Sequence, residues 1–71
     1  MTHDEAIALM AIYDRVGAAL GEASEIVSRE ADPAERKRLR RPLGEMMADL
    51  FTELQLPIIR KYPDLDPDRG T

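Results

Sequence analysis

Apolar side chains between residues 6 and 27 repeat with the period of an α-helix. They form three neighbouring rows with seven-residue spacing, namely Leu9, Val16 and Ala23, then Ile12, Ala19 and Ile26, then Tyr13, Leu20 and Val27. Three adjacent rows make a wide apolar stripe, which is typical of a bundle helix and too wide for a two-stranded coiled coil. The pattern therefore predicts a first long helix with an extensive apolar face.

The ends of this first segment carry helix-boundary signals. Thr2 and Glu5 have the spacing of a capping box, in which each side chain accepts a hydrogen bond from the other residue's backbone N–H. Asp32 followed by Pro33, with Glu35 three positions after Asp32, predicts a second helix start. A connection this short predicts that the two helices lie antiparallel as a hairpin.

The second helix keeps the phase of its apolar stripe past a proline. The stripe contains Leu39, Leu43, Met46, Met47, Leu50, Phe51, Leu54 and Ile58. Pro42 lacks an N–H and crowds the carbonyl four residues earlier, so we expect a kink in a continuing helix, with a break into two helices as the alternative. Pro57 raises the same question near the end of the stripe.

The helical period is lost after Tyr62. Residues 63–71 include two prolines and three acidic side chains, which predicts an extended acidic C-terminal tail, while residues 1–62 form the helical hairpin domain. Tyr62 and Leu65 are suited to holding the start of this tail against the hairpin. The full length of 71 residues allows only one small domain.

The size of the chain and its residue types favour self-association. Without cysteine and with one histidine, the chain cannot use disulfides or a zinc site to support a small core. Two helices share one contact line, whereas each carries a wide apolar stripe. We therefore predict an all-α hairpin with a Pro-kinked second helix that dimerises into a four-helix bundle. The alternative is a monomer in which the tail and the bent second helix cover the stripe.

Two sets of residues follow from this prediction. The expected core consists of Leu9, Ile12, Val16, Leu20, Ile26, Leu39, Leu43, Met46, Leu50 and Leu54. Four stripe residues, together with two glycines that lie beside the stripe and permit close helix approach, are possible dimer contacts. These candidates are Ile12, Gly17, Gly21, Met46, Met47 and Leu50.

Charge is concentrated in one basic stretch of an otherwise acidic chain with a formal charge of −4. Its cationic side chains are possible contacts for a partner or for nucleic acid, and they are Arg36, Lys37, Arg38, Arg40 and Arg41. Steps of ~100° spread them around the helix, whereas a groove-reading helix would concentrate them on one side. An antiparallel register that pairs residue i with 63 − i predicts that Arg38 meets Glu25 and Arg41 meets Glu22, with Glu45 one turn beyond Arg41. The same register sets Arg15 level with residue 48, which makes the neighbouring Asp49 its predicted partner.

The sequence offers no catalytic constellation. It has no recognisable nucleotide-binding, hydrolase or zinc-protease motif, so we expect neither an enzyme nor a cofactor or metal. The apolar run at residues 6–13 is too short to cross a bilayer and lacks the features of a signal peptide, which predicts a cytoplasmic protein without a membrane partner. We expect a homodimeric protein-protein interaction or regulatory module. The alternative is a nucleic-acid-binding hairpin that uses residues 36–41.

Overall fold

The computed structural model describes residues 1–67, and all of its regular elements in that range are helical. Helix α1 spans His3–Ser28 and helix α2 spans Pro33–Asp49. A π-helical turn, Leu50–Gln55, joins α2 to helix α3 at Leu56–Lys61. These three segments follow one another without a break, and we refer to residues 33–61 as helix 2. A 3₁₀ turn, Pro63–Leu65, ends the described elements.

The predicted capping box at the start of α1 is confirmed. Thr2 Oγ1 accepts a hydrogen bond from the Glu5 backbone N–H at 3.1 Å, and Glu5 Oε1 accepts one from the Thr2 N–H at 2.8 Å. The bond from the Thr2 backbone lowers the pKa of the Glu5 carboxyl, with a further contribution from the Thr2 side chain. This cap satisfies two of the N–H groups that a helix start leaves without partners.

The predicted start of helix 2 is confirmed at Asp32 but not at Glu35. Asp32 Oδ1 accepts the Ala34 N–H at 3.0 Å, and Pro33 occupies the first helical position. Glu35 does not complete this cap, because its carboxylate binds Arg38. The Asp32 N–H instead donates to Glu30 Oε1 at 3.2 Å. The cap thus takes its second carboxylate from the connecting segment.

Helix 2 passes Pro42 without interruption, so the alternative of two separate helices at that point is wrong. The helix widens later, where the Leu56 N–H donates to the carbonyl of Phe51 five residues earlier. A turn of this kind takes up one extra residue. Two regular turns span about seven residues, and here eight residues separate Leu50 from Ile58, yet both are buried. The wide turn therefore keeps both side chains on the inner face.

The two helices are antiparallel, and their main core lies where the first turns of α1 meet the end of helix 2. Ala6, Met10 and Ile58 are buried together, and partly buried apolar side chains pack around them. These are Leu9, Tyr13, Ile59, Tyr62 and Leu65. The predicted anchoring by Tyr62 and Leu65 is confirmed. Residues 63–65 form a 3₁₀ turn on the hairpin and thus are not extended, whereas residues 68–71 of the predicted tail lie outside the described range.

The predicted core is only partly buried in a single chain. Leu50 is buried, and Leu9, Leu20, Leu39 and Leu43 are half-buried. The other five predicted core residues are between 42% and 68% exposed, which corrects the prediction for the isolated hairpin. They are Ile12, Val16, Ile26, Met46 and Leu54. Within one hairpin, each helix covers only a narrow line along the apolar stripe of the other helix. These five side chains lie beside that line.

The register in the middle of the hairpin differs from the predicted one by about one turn. Gly17 lies against Leu50, since a Cβ on Gly17 would sit 3.5 Å from Leu50 Cδ2, and His3 pairs with Asp64. The residue numbers of Gly17 and Leu50 add up to 67, whereas the predicted register gives 63, and four residues are about one helical turn. Past the wide turn the offset differs, since the Tyr62 hydroxyl donates to Met1, a pair that adds up to 63. Among residues 1–67, none of the ion pairs predicted across the hairpin forms.

Candidate functional site

Exposed apolar side chains form a stripe along α1 next to its buried face. Ile12 is 45% exposed, Val16 is 42% exposed and Ile26 is 68% exposed. Val16 lies one residue before Gly17, which faces helix 2, and one residue corresponds to about 100° of rotation. The small residues Ala19 and Ala23 continue the stripe between Val16 and Ile26. The stripe is thus a quarter turn away from the contact line with helix 2.

Helix 2 carries exposed apolar residues on the same side of the hairpin. Met46 is 48% exposed and lies one residue before the half-buried Met47, and Leu54 is 44% exposed. In an antiparallel pair of helices, a residue that comes one position before an inward-facing residue lies on the same side of the hairpin for both helices. We call this side the apolar face, and its large members are Ile12, Val16, Ile26, Met46 and Leu54. Ile7 and Phe51, also exposed, lie on the other side.

The apolar face continues into a shallow hollow near the N-terminus of α1. Met1, Glu5, Ala8, Leu9 and Ile12 line this hollow. Met1 is 60% exposed, so its side chain adds further accessible apolar surface at this end. The face therefore extends over most of the length of α1.

Charged side chains border the apolar face on both edges. Arg15 comes one residue before Val16 on α1, and on helix 2 Asp49 and Glu53 come one residue before Leu50 and Leu54. Among residues 1–67, none of these three charged groups forms an ion pair, so the predicted contact between Arg15 and Asp49 is wrong. With the observed register, Arg15 lies level with residue 52, between the two acids on helix 2.

The six predicted dimer contacts lie in different environments. Ile12 and Met46 are exposed members of the apolar face. Gly17 and Leu50 contact each other inside the hairpin, while Gly21 has no atom within 4 Å of a Cβ built at that position. Met47 is half-buried. The part of these six residues in a dimer stays a prediction. The five large members of the apolar face were predicted to lie in the core, and in the hairpin they are exposed.

The basic stretch is neutralised mainly by neighbours on its own helix. Arg38 binds the Glu35 carboxylate, and Arg41 Nε donates to Glu45 Oε1 at 3.4 Å. Arg36 donates to the carbonyl oxygen of Glu30 at 2.8 Å. The hydrogen bond from Arg38 lowers the pKa of the Glu35 carboxyl, and its pair raises the pKa of Arg38. The predicted pairs with Glu22 and Glu25 are therefore wrong, whereas the pair with Glu45 is confirmed.

Two cations of this stretch remain available. Within residues 1–67, the side chains of Lys37 and Arg40 make no hydrogen bond or ion pair. Together with Arg41 they border a shallow hollow over Gly44, Glu45 and Ala48 on helix 2. Lys37 and Arg40 are thus the members of the predicted basic contact that face solvent without a partner.

A polar cluster joins the two ends of the described chain. His3 Nε2 lies 2.7 Å from Asp64 Oδ2, and the His3 and Tyr62 rings meet edge to face with centroids 5.1 Å apart. The Tyr62 hydroxyl donates to the Met1 carbonyl at 2.9 Å, and Lys61 Nζ lies 5.6 Å from the centre of the Tyr62 ring. The cluster holds the 3₁₀ turn on α1 and occupies the only histidine of the chain.

Residues 1–67 show no grouping of three or more histidine, cysteine or acidic side chains placed to hold a metal ion. None of the helices in that range carries an apolar stretch of the length that a bilayer crossing requires. No protein-family model matches the sequence, and neither a curated protein nor a solved structure does.

Proposed function

We propose that this chain is a protein-protein interaction module that works as a homodimer, in which two hairpins pair through the apolar face. The observation that supports the proposal best is the exposure of Ile12, Val16, Ile26, Met46 and Leu54 on one side of the hairpin. Contiguous apolar patches of this kind on a soluble chain mark interaction sites. Pairing two such faces would produce a four-helix bundle.

The burial pattern supports a partner for this face. Only four apolar residues are buried in the described part of the chain, namely Ala6, Met10, Leu50 and Ile58. No large side chain in that part is fully buried. A core of this size contributes little stability to a short chain, and oligomerisation is a common way to enlarge it.

The accessible area points in the same direction. The chain exposes 5362 Å², whereas a folded monomer of its mass is expected to expose about 4,450 Å². This excess of about 900 Å² belongs to the whole elongated chain, 46 × 21 × 20 Å, and not to the apolar face alone. A standard interface buries ~800 Å² per partner, so burial of part of this surface by a second copy is compatible with the area.

Thermal unfolding at several protein concentrations tests this proposal. Because a dimer unfolds into two chains, its melting temperature rises with protein concentration. We expect the midpoint followed by circular dichroism to increase by several degrees over a hundredfold range. A cooperative transition at one temperature throughout this range would contradict the proposal.

A second candidate function is binding of nucleic acid by the basic stretch, and the free side chains of Lys37 and Arg40 favour it. Against it, the neighbouring arginines are paired on their own helix, and residues 36–41 contain no aromatic side chain on which bases could stack. Binding of mixed RNA and DNA at two salt concentrations tests this candidate with the Lys37→Glu/Arg40→Glu variant as control. Affinity that falls with salt and disappears in the variant would support it. No affinity at low salt would remove it.

A further inference from the structure

We propose that the two copies pair with α1 of each hairpin lying over helix 2 of its partner, so that all neighbouring helices in the bundle are antiparallel. In this arrangement Arg15 faces the partner's Glu53 and the partner's Asp49. The inference rests on the proposed dimer and specifies which surface of the second copy the apolar face takes. Its two-fold axis runs parallel to the helices.

The observed register sets which residues would meet. A two-fold axis parallel to the helices keeps every residue at its own level and places α1 over the partner's helix 2. Around the contact of Gly17 with Leu50, residues whose numbers add up to about 67 lie at one level. Leu54 of one copy is then level with residue 13 of the other, between Ile12 and Val16.

Met46 occupies an equivalent position further along the bundle. It is level with residue 21, between Ala19 and Ala23 of the other copy. A large side chain that enters the gap between residues four apart is the packing used between bundle helices. The two alanines leave room for the longer methionine, so large residues of helix 2 meet gaps on α1 at both levels. The exposed side chains of each copy thus fit the surface of the other.

The charges of Arg15, Asp49 and Glu53 agree with this arrangement. Arg15 is level with residue 52, so the partner's Asp49 and the partner's Glu53 lie within about one turn of it, above and below. All three side chains lack an ion pair inside the described part of one chain. Complementary edges of this kind fix the orientation of an interface more than its strength.

The other symmetric arrangement places like charges together. A two-fold axis across the helices would set α1 on α1 and helix 2 on helix 2. If that axis passes through the middle of the apolar face, Asp49 lies against its own copy and Glu45 meets the partner's Glu53. Acidic groups directly opposite one another disfavour an interface. This arrangement sets Arg15 near the partner's Glu22, but it brings more acidic groups of helix 2 against one another than the first one does.

Disulfide formation between mixed single-cysteine variants distinguishes the two arrangements. The chain has no cysteine of its own, so every cross-link comes from the introduced positions. We expect Ile12→Cys mixed with Leu54→Cys to form the heterodisulfide, because these positions meet across adjacent antiparallel helices. Neither variant should cross-link alone, since equivalent helices lie diagonally in the bundle. Both positions are exposed in the hairpin, so the substitutions leave its fold intact.

A second mixture, Ile12→Cys with Ile26→Cys, is the matched control. These positions meet only when α1 lies on α1, so cross-linking of this pair and not of the first would overturn the proposed orientation. Light scattering on the unaltered chain tests the dimer separately from its orientation. A mass of twice the 8.0 kDa chain, together with cross-linking of the control pair only, would support the dimer and overturn the proposed orientation. The mass of a single chain would overturn both the dimer and its orientation.

Charge reversal gives an independent test of the proposed orientation. Glu53→Arg should weaken the dimer by about two- to tenfold, because the change sets a cation against the partner's Arg15. The double variant Arg15→Glu/Glu53→Arg exchanges the two charges and should restore the affinity. Tighter association of the single variant Glu53→Arg would indicate relief of repulsion between acids and would overturn the proposed orientation.

Discussion

Replacing Ile12 by alanine should weaken the dimer, and the same change at Ile7 should not. Both isoleucines are on α1 and both are 45% exposed. They are five residues apart, which is about 140° around the helix, so only Ile12 belongs to the apolar face. The two variants therefore share the residue type, the helix, the exposed fraction and the gain in helix propensity that alanine brings. They differ in the side of the helix that is changed.

The expected magnitude follows from the exposed part of the side chain. Complete burial of an isoleucine contributes ~1.5–3 kcal/mol, and slightly less than half of Ile12 is left for a partner to cover. Each copy then contributes about 1 kcal/mol, and alanine retains part of that contact. With two copies per dimer, Ile12→Ala should raise the dissociation constant by roughly tenfold.

Sedimentation velocity at concentrations around the dissociation constant measures this change. Ile7→Ala should remain within about twofold of the unaltered chain, since its side chain stays in solvent in the dimer. Equal weakening by both substitutions would refute the assignment of the interface to the apolar face. So would a dissociation constant that neither substitution changes.

Three further predictions concern the stability of the hairpin itself. Gly21→Ala and Gly44→Ala should each raise the free energy of unfolding by about 1 kcal/mol in urea titrations, because both sites have open space for a Cβ; a loss of stability would show that another chain approaches one of these glycines. Thr2→Ala should lower the same quantity by ~1 kcal/mol through loss of the cap, and an unchanged midpoint would contradict the role of that cap. Because the folded-state pKa values of Glu5 and Glu35 are lowered, their contribution is present above the ordinary value of 4.5 and disappears as the pH falls below it. Urea titrations from pH 7 to pH 3 should show this decline, and Glu5→Gln should make it smaller.

The sequence predicts the local features of this fold well. Thr2 with Glu5, and Asp32 with Pro33, act within a few residues of one another, so their backbone contacts can be inferred from spacing alone. The same holds for the continuation of helix 2 through Pro42, since the apolar stripe keeps its phase there. The two helix starts are therefore specified by residues close together in the sequence.

Tertiary features were not predictable in the same way. The register between the helices depends on packing such as Gly17 against Leu50, and Arg38 and Arg41 do not meet their predicted partners on α1. Ion pairs then formed with the nearest carboxylates on the same helix, which lose little side-chain freedom. Hydrophobic periodicity gives the width of the apolar stripe on a helix. It does not specify which residues of that stripe contact the other helix of the hairpin.

The wide turn in helix 2 also had little signal in the sequence. It lies directly before Pro57, whose ring would crowd the carbonyl of Glu53 in a regular helix. That proline predicted a disturbance without specifying its type. An insertion of one residue in the turn sets where Ile58 points, and this detail decides the composition of the core around Ala6 and Met10.

Sedimentation equilibrium of the unaltered chain over a hundredfold dilution tests the central claim most directly. The account predicts twice the chain mass of 8.0 kDa at high concentration, with reversible dissociation on dilution and a dissociation constant that Ile12→Ala raises. A mass of one chain at every concentration, together with a cooperative unfolding transition, would contradict it.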